Sequence, residues 1–184
     1  VYIAGNGKDT NDGKSPATPV RTFARAKELL TTGAYTSGAN IRVCNSTVQI
    51  SAGDDQWSFD PGGYVTNTTT GETWKPKVIR YDRFKGRLLG IYRGSSFAST
   101  VTFTDIIIDG GSEEGIVATT ETEDQLLHIN YGGTAILGEN AILQNNRKML
   151  ATYSSGVYGM GVYVCGGTLE INGGTIQNVG IDSS

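Results

Sequence analysis

Asp105 and Glu139 stand 34 positions apart in a chain of 184 residues, and they are its first candidates for acid–base chemistry. Cleaving a glycosidic bond takes two carboxyl groups facing one groove, roughly 5–10 Å apart, one protonating the leaving oxygen and the other serving as base or nucleophile. Carboxylates stacked on neighbouring turns of a chain meet that need, because like charges held close raise one of the two pKa values. Asp109 lies just beyond the pair. The plainer reading is a solvated corner in which both carboxylates stay ionised.

Two further groups have chemistry-bearing types. In the short apolar strands IRVC, LLHIN and VYVC, alternation turns Ile41, Val43, Leu127, Ile129, Val162 and Val164 inward and leaves Arg42, His128 and Tyr163 facing out. Arg80 joins them if Ile79 and Tyr81 are the inward pair of their strand. Such a ridge suits a sugar or uronate chain, stacking on the aromatic ring and pairing with the guanidinium. The turn DTNDG supplies Asp9, Asn11 and Asp12 as a candidate calcium loop, although the closing Glu of such loops is missing. Asx-turn hydrogen bonds to the backbone are the alternative use of those side chains. GNGKDT lacks the spacing of a phosphate loop.

The elements that position these residues follow from a repeat. VTFTDIIIDG at Val101, AILGENAILQ at Ala135 and LEINGGTIQN at Leu169 superpose at a constant 34-residue step. Val101/Ala135/Leu169, Phe103/Leu137/Ile171 and Ile108/Ile142/Ile176 form apolar columns with period-two alternation, which predicts strands. A helical solenoid of similar period is disfavoured by the glycines of the unit, each of which weakens a helix by roughly 1 kcal/mol. Stacking these strands one turn above another, about 4.8 Å apart, gives a parallel β-helix. LLGIY, LLHIN and VYVC supply a second strand per turn, and IRVC, TVQIS and KVIRYD the first turns. The segment from Gly53 to Pro76, with Trp57, Tyr64 and Trp74, reads as a lateral loop, and the acids at Glu113 and Glu121 as a solvated one.

Ahead of the coil, Thr18 and Pro19 read as a capping hydroxyl and a first helical residue. The helix they start runs through Val20, Phe23 and Leu30 and stops near Gly33, covering the first strand edge. Cys44 and Cys165 end similar strands, in equivalent columns about four turns or roughly 19 Å apart, too far for a disulfide.

The chain carries 15 basic and 18 acidic residues with no basic stripe, so nucleic acid is not an expected partner. No apolar run approaches the ~18 residues of a membrane span. The length suits one domain, 1–184, with an N-terminal cap over 1–40 and a coil over 41–184.

The opening turn GKDTNDGKSPATP, the helix with Phe23, and the strand pair from Ile41 to Ile50 resemble the start of secreted right-handed parallel β-helix proteins, the pectin-lyase-like group. GVYVCGGTLEINGGTIQN is similar to repeats of large bacterial cell-surface β-helix proteins. The resemblance implies an all-β right-handed parallel β-helix with an N-terminal capping α-helix, located outside the cell or attached to the wall. Lyases of the group use a basic residue beside a calcium-bound carboxylate, and no Arg/Asp cluster here matches that arrangement. The function implied is therefore a non-catalytic adhesion or glycan-binding module. The alternative is the N-terminal part of a carbohydrate-active enzyme, a glycoside hydrolase or polysaccharide lyase. No cofactor is expected apart from the calcium candidate. A polysaccharide or host-surface glycan or protein is the expected partner. IQNVGIDSS ends a turn with nothing to cover its edge, which implies further turns in a longer protein or end-to-end self-association through that edge.

Overall fold

The structure, a computed structural model, describes residues 1–31, 39–44, 47–50, 63–67, 77–80, 87–91, 99–112, 125–150 and 160–183. They form an all-β fold of three parallel sheets with one helix among the described residues. Sheet A takes β1 (Tyr2–Ile3), β2 (Ala39–Val43), β4 (Gly63–Asn67), β7 (Ser99–Thr104), β10 (Gly133–Leu137) and β13 (Thr168–Ile171), side by side in that order. Sheet B takes β3 (Thr47–Ile50), β5 (Lys77–Arg80), β8 (Ile107–Asp109), β11 (Ile142–Leu150) and β14 (Thr175–Ser183). Sheet C takes β6 (Leu89–Ile91), β9 (Leu127–Asn130) and β12 (Val162–Cys165). From β4 onward the chain visits A, B and C in strict rotation, so each circuit adds one strand to every sheet.

The repeat read from the sequence is the register of sheet A. Val101 pairs with Ala135 and Ala135 with Leu169, while Phe103, Leu137 and Ile171 form the next inward column. Val101, Phe103, Ala135 and Leu137 are fully buried, as period-two alternation requires. In sheet B the constant step fails by one residue. The column is Ile108–Leu143–Ile176, with Ile142 opposite Ile107 and Thr175. The corner between Leu137 and Ile142 holds one residue more than the equivalent corners before Ile107 and Thr175, and it slips the frame.

Each corner turns on left-handed backbone. Asp105 (φ 50°), Asn140 (φ 58°) and Gly173 (φ 97°) occupy the A-to-B corner, and Asn145 (φ 56°) and Asn178 (φ 48°) the bend that follows in sheet B. Asn and Asp tolerate this region better than other side chains because their short polar groups bond locally. At the C-to-A corner, Gly133 has no room for a side chain, since a Cβ there would sit 2.7 Å from the Ile91 carbonyl oxygen.

Three expectations are corrected. The helix, α1 (Phe23–Thr31), starts later than Thr18–Pro19 suggested. Thr22 caps it, its hydroxyl accepting the Arg25 N–H at 3.1 Å, while Val20 makes a parallel bridge to Ile3. IRVC belongs to sheet A, not to the sheet of LLHIN and VYVC, so Cys44 and Cys165 are not in equivalent columns. Both are free thiols, and burial raises the pKa of Cys44 over the opposing pull of a backbone hydrogen bond. Within the supposed lateral loop, Tyr64 lies in β4, a full rung between β2 and β7. Gly33, Trp57, Trp74 and the acidic segment from Glu113 to Glu121 lie outside the described residues. No helix among the described residues is long and apolar enough to cross a membrane.

Phe103 is the largest fully buried side chain among the described residues. Truncating it (Phe103→Ala) should cost about 3–5 kcal/mol in a denaturant titration; a loss below about 1 kcal/mol would contradict the inward column.

Candidate functional site

The chemistry-bearing side chains divide into three places, and the predicted Arg/His/Tyr ridge is not one of them. Arg42 lies on sheet A, opposite Tyr2 in register, with its guanidinium 5.8 Å from the Tyr2 ring centre. Arg80 ends β5 in sheet B. Only His128 and Tyr163 share a column, in sheet C, where they are direct register partners. The ridge fails because alternation tells which side of a strand faces out but not which sheet the strand joins.

On sheet C the pair gains a cation that the sequence reading missed. Arg87, just ahead of β6, places NH1 3.1 Å from His128 Nδ1. A guanidinium has only donors, so Nδ1 accepts and the ring proton sits on Nε2. The Tyr163 ring meets the imidazole edge-on, with centroids 4.9 Å apart and planes at 66°. Gly90, the other register partner of His128, has no side chain to offer the ring. His128 is only 7% exposed, so it lies beneath Arg87 and Tyr163, both half-buried. Three residues after His128, Tyr131 stands 70% exposed, and its ring lies where any side chain on Gly166 would be. The signal for it was present in NYGG against CGG one turn later, where paired glycines leave a flat seat for a ring. The Arg87–His128–Tyr163 cluster can offer a guanidinium and a phenol ring to a ligand.

The acidic candidates are engaged otherwise. The Asp105 N–H donates to the Glu139 carbonyl at 3.0 Å, so the two residues do stand on adjacent turns. The Asp105 carboxylate, however, accepts from Asn140 Nδ2 at 2.9 Å. Glu139 is exposed. Asp109 is 2% exposed and accepts three hydrogen bonds, with one ion pair beside them. Its Oδ1 takes the Gly111 N–H at 2.8 Å; its Oδ2 takes Gln144 Nε2 at 2.9 Å and Asn145 Nδ2 at 3.0 Å, with Lys77 Nζ at 3.6 Å. Behind Gln144 and Asn145 stand Gln177 and Asn178, donating to them at 2.9 and 2.7 Å. Two amide ladders therefore run down sheet B and converge on one carboxylate.

The third place is the N-terminal turn. Asp9 accepts the Arg21 and Thr22 N–H groups at 2.9 and 3.0 Å and the Thr22 hydroxyl at 3.0 Å, which ties the turn to the start of α1. Asp12 accepts the Lys14 N–H at 3.1 Å and the Thr18 hydroxyl at 2.8 Å, and Asn11 donates to the Pro19 carbonyl at 2.8 Å. This is the backbone-bonding alternative to the calcium loop, with the three side chains turned to separate partners. Among the described residues no group of three or more His, Cys, Asp or Glu side chains is placed to hold a metal ion.

A scan against protein-family models, a search of curated proteins and a search of solved structures each found no match to this chain.

Replacing Asp109 by Ala leaves the Gly111 N–H, the two amides and Lys77 without their acceptor, at a cost of about 3 kcal/mol or more. Denaturant titration checks this, and a loss below about 1 kcal/mol would show that the hub is not structural. The N-terminal turn should add an acid-sensitive component. Partial burial raises the Asp9 pKa, but hydrogen bonds from the Thr22 and Arg21 N–H groups and the Thr22 hydroxyl, with the Arg21 charge, outweigh it and hold the group below 3.8. Asp12 is likewise lowered, first by the Lys14 N–H and then by the Thr18 hydroxyl. A depressed carboxylate contributes stability that is present above its unfolded pKa and lost as pH falls through the folded one. Stability should therefore drop as pH descends below about 3.8, and Asp9→Asn should flatten that slope. An unchanged slope in the variant would contradict it.

Proposed function

We propose that the chain winds as a right-handed parallel β-helix of the pectin-lyase-like kind, capped by α1, and works as a non-catalytic extracellular module of a bacterial surface protein that holds glycans. The rotation of the strands through three parallel sheets supports the coil, and right-handedness follows the usual sense of parallel crossovers. The observation that carries the binding reading is the sheet C cluster. Arg87 and Tyr163 sit over His128, and Tyr131 stands on the corner that follows, against Gly166; a guanidinium and phenol faces are of the kind that pair with a uronate carboxylate and stack on sugar rings. The reading against catalysis rests on Asp105 and Asp109, whose carboxylates already accept hydrogen bonds that hold the fold.

A glycan array that includes pectic, mucin-type and plant glucan chains tests the proposal. Arg87→Ala and Tyr163→Ala should each weaken retention about tenfold or more, in line with the loss of a charge-assisted bond or a stacked ring. Joint replacement of Asp105 by Asn and Glu139 by Gln should leave retention and stability unchanged, since Asn accepts from Asn140 and tolerates the left-handed backbone. Reducing-sugar and unsaturated-uronate assays should detect no turnover. Hydrolysis abolished by either acidic replacement alone would overturn the reading in favour of an enzyme.

A further inference from the structure

His128 is the one histidine of the chain, and it is buried between Arg87, just ahead of β6, and Tyr163 on β12, the two strands that flank its own. Among the described residues, β6, β10 and β12 are the strands packed most closely on β9. The titratable and charged groups they bring are few. Arg87 precedes β6, β12 carries Tyr163 and Cys165, β10 carries none, and β9 itself is followed by Tyr131. The set holds one cation and no carboxylate.

The Arg87–His128 hydrogen bond exists in one protonation state only. A guanidinium has no lone pair to accept with, so NH1 can lie 3.1 Å from Nδ1 only while that nitrogen carries a lone pair. A proton on Nδ1 would turn the contact into two donors and two positive charges facing one another, and both effects oppose the charged ring. An anionic oxygen set between the two nitrogens reverses them. It accepts from NH1 and from the Nδ1 proton at once, in two charge-assisted bonds. The added proton comes from water, Nε2 keeps its own, and no covalent bond to a heavier atom is made or broken.

We infer that this site takes up a sugar carboxylate together with a proton: a uronate group parts Arg87 from His128 and is held by both, so retention strengthens as pH falls. The inference rests on the glycan-binding reading above and narrows its ligand to acidic sugars. Its sign follows from linkage, since a ligand that favours the protonated ring binds better where the ring is protonated and raises the pH at which protonation occurs. The uronate carboxyl, titrating near an ordinary carboxyl value of about 4, stays ionised while a histidine titrates.

A single histidine makes the test direct, because its imidazole resonance can be followed alone through a pH titration of the 184-residue protein. Arg87→Ala should raise the titration midpoint by removing a cation and a donor to the neutral ring, and saturating oligogalacturonate should raise it in the unaltered protein. By calorimetry, oligogalacturonate should bind about tenfold more tightly at about pH 5 than at about pH 8, the span over which a histidine changes charge. A neutral glucan oligomer should show no such ratio. His128→Asn, whose Oδ1 accepts from Arg87 but takes up no proton, should abolish the ratio for oligogalacturonate. A midpoint unmoved by bound oligogalacturonate, affinity equal or weaker in acid, the same ratio for the neutral glucan, or a ratio kept by the Asn variant would overturn this inference and leave the glycan reading standing. Absence of oligogalacturonate binding at both pH values would overturn the inference as well; if Arg87→Ala still raised the midpoint, the failure would lie in the glycan reading rather than in the Arg87–His128 coupling.

Discussion

A strand cannot be followed directly by a parallel neighbour in the same sheet; the chain must leave, travel, and return at the same end. Here the return path is itself made of strands, since the route out of sheet A leads through sheets B and C before the next strand of A is laid down. Everything else depends on each circuit closing in step with the last. The corners enforce this closure, and they do so with the few residue types that accept left-handed backbone, Asp105, Asn140 and Gly173 at one corner and Gly132 and Gly166 at another. Where a corner gains one residue, between Leu137 and Ile142, the sheet beyond it keeps its pairing and only the sequence spacing changes. Hydrogen bonding between strands holds the register, and the corner absorbs the difference.

Stacking in register brings like side chains together, which helps apolar columns and would strain polar ones unless they bond along the stack. Amides satisfy this need because each is both donor and acceptor, and a column of them bonds rung to rung. Such a column has no preferred direction by itself. Asp109 supplies one, and its burial at 2% exposure makes the choice costly to reverse, since a buried carboxylate deprived of donors is strongly unfavourable. Lys77, from β5 on the other flank of β8, brings its ammonium to 3.6 Å from the same Oδ2 that the two ladders bond. The two ladders thereby carry the orientation of one carboxylate two rungs along the sheet.

The sheet A columns were legible in the sequence because period-two alternation and a constant step describe the same two facts, which side faces in and which residues stack. What alternation does not encode is sheet identity. IRVC and VYVC look alike letter by letter, yet one lies beside β1 and β4 and the other beside β9. That ambiguity produced the ridge of Arg42, His128 and Tyr163 and the false equivalence of Cys44 and Cys165. The amide ladder was hidden for a related reason. Gln144/Gln177 and Asn145/Asn178 are one residue short of the constant step, on the far side of the enlarged corner, so a fixed frame passes between them. At the N-terminus, Thr18–Pro19 has the local chemistry of a helix start, but Val20 is drawn into a bridge with Ile3 and the cap passes to Thr22. Tertiary pairing overrode a local preference.

A carboxylate serves as a general acid or base only if its proton can come and go without loss of structure. Asp109 fails that condition, because protonation would remove an acceptor from buried amides and from the Gly111 N–H. Asp105 satisfies it only partly, since its side chain bonds to Asn140 at the very corner that its backbone helps to turn. Glu139 is exposed, and what meets the Asp105 N–H is its backbone carbonyl, not its carboxylate. Arg87 and Tyr163 are themselves held by buried His128, the one through its guanidinium and the other edge-on to the imidazole, while Tyr131 stands 70% exposed. All three stand at sheet C or on the corner that follows it, and none of them belongs to the amide ladders of sheet B. The polar groups of this chain thus differ in what they hold: the Asp109 hub and its ladders tie three rungs of sheet B together, whereas the Arg87–His128–Tyr163 contacts stay within sheet C.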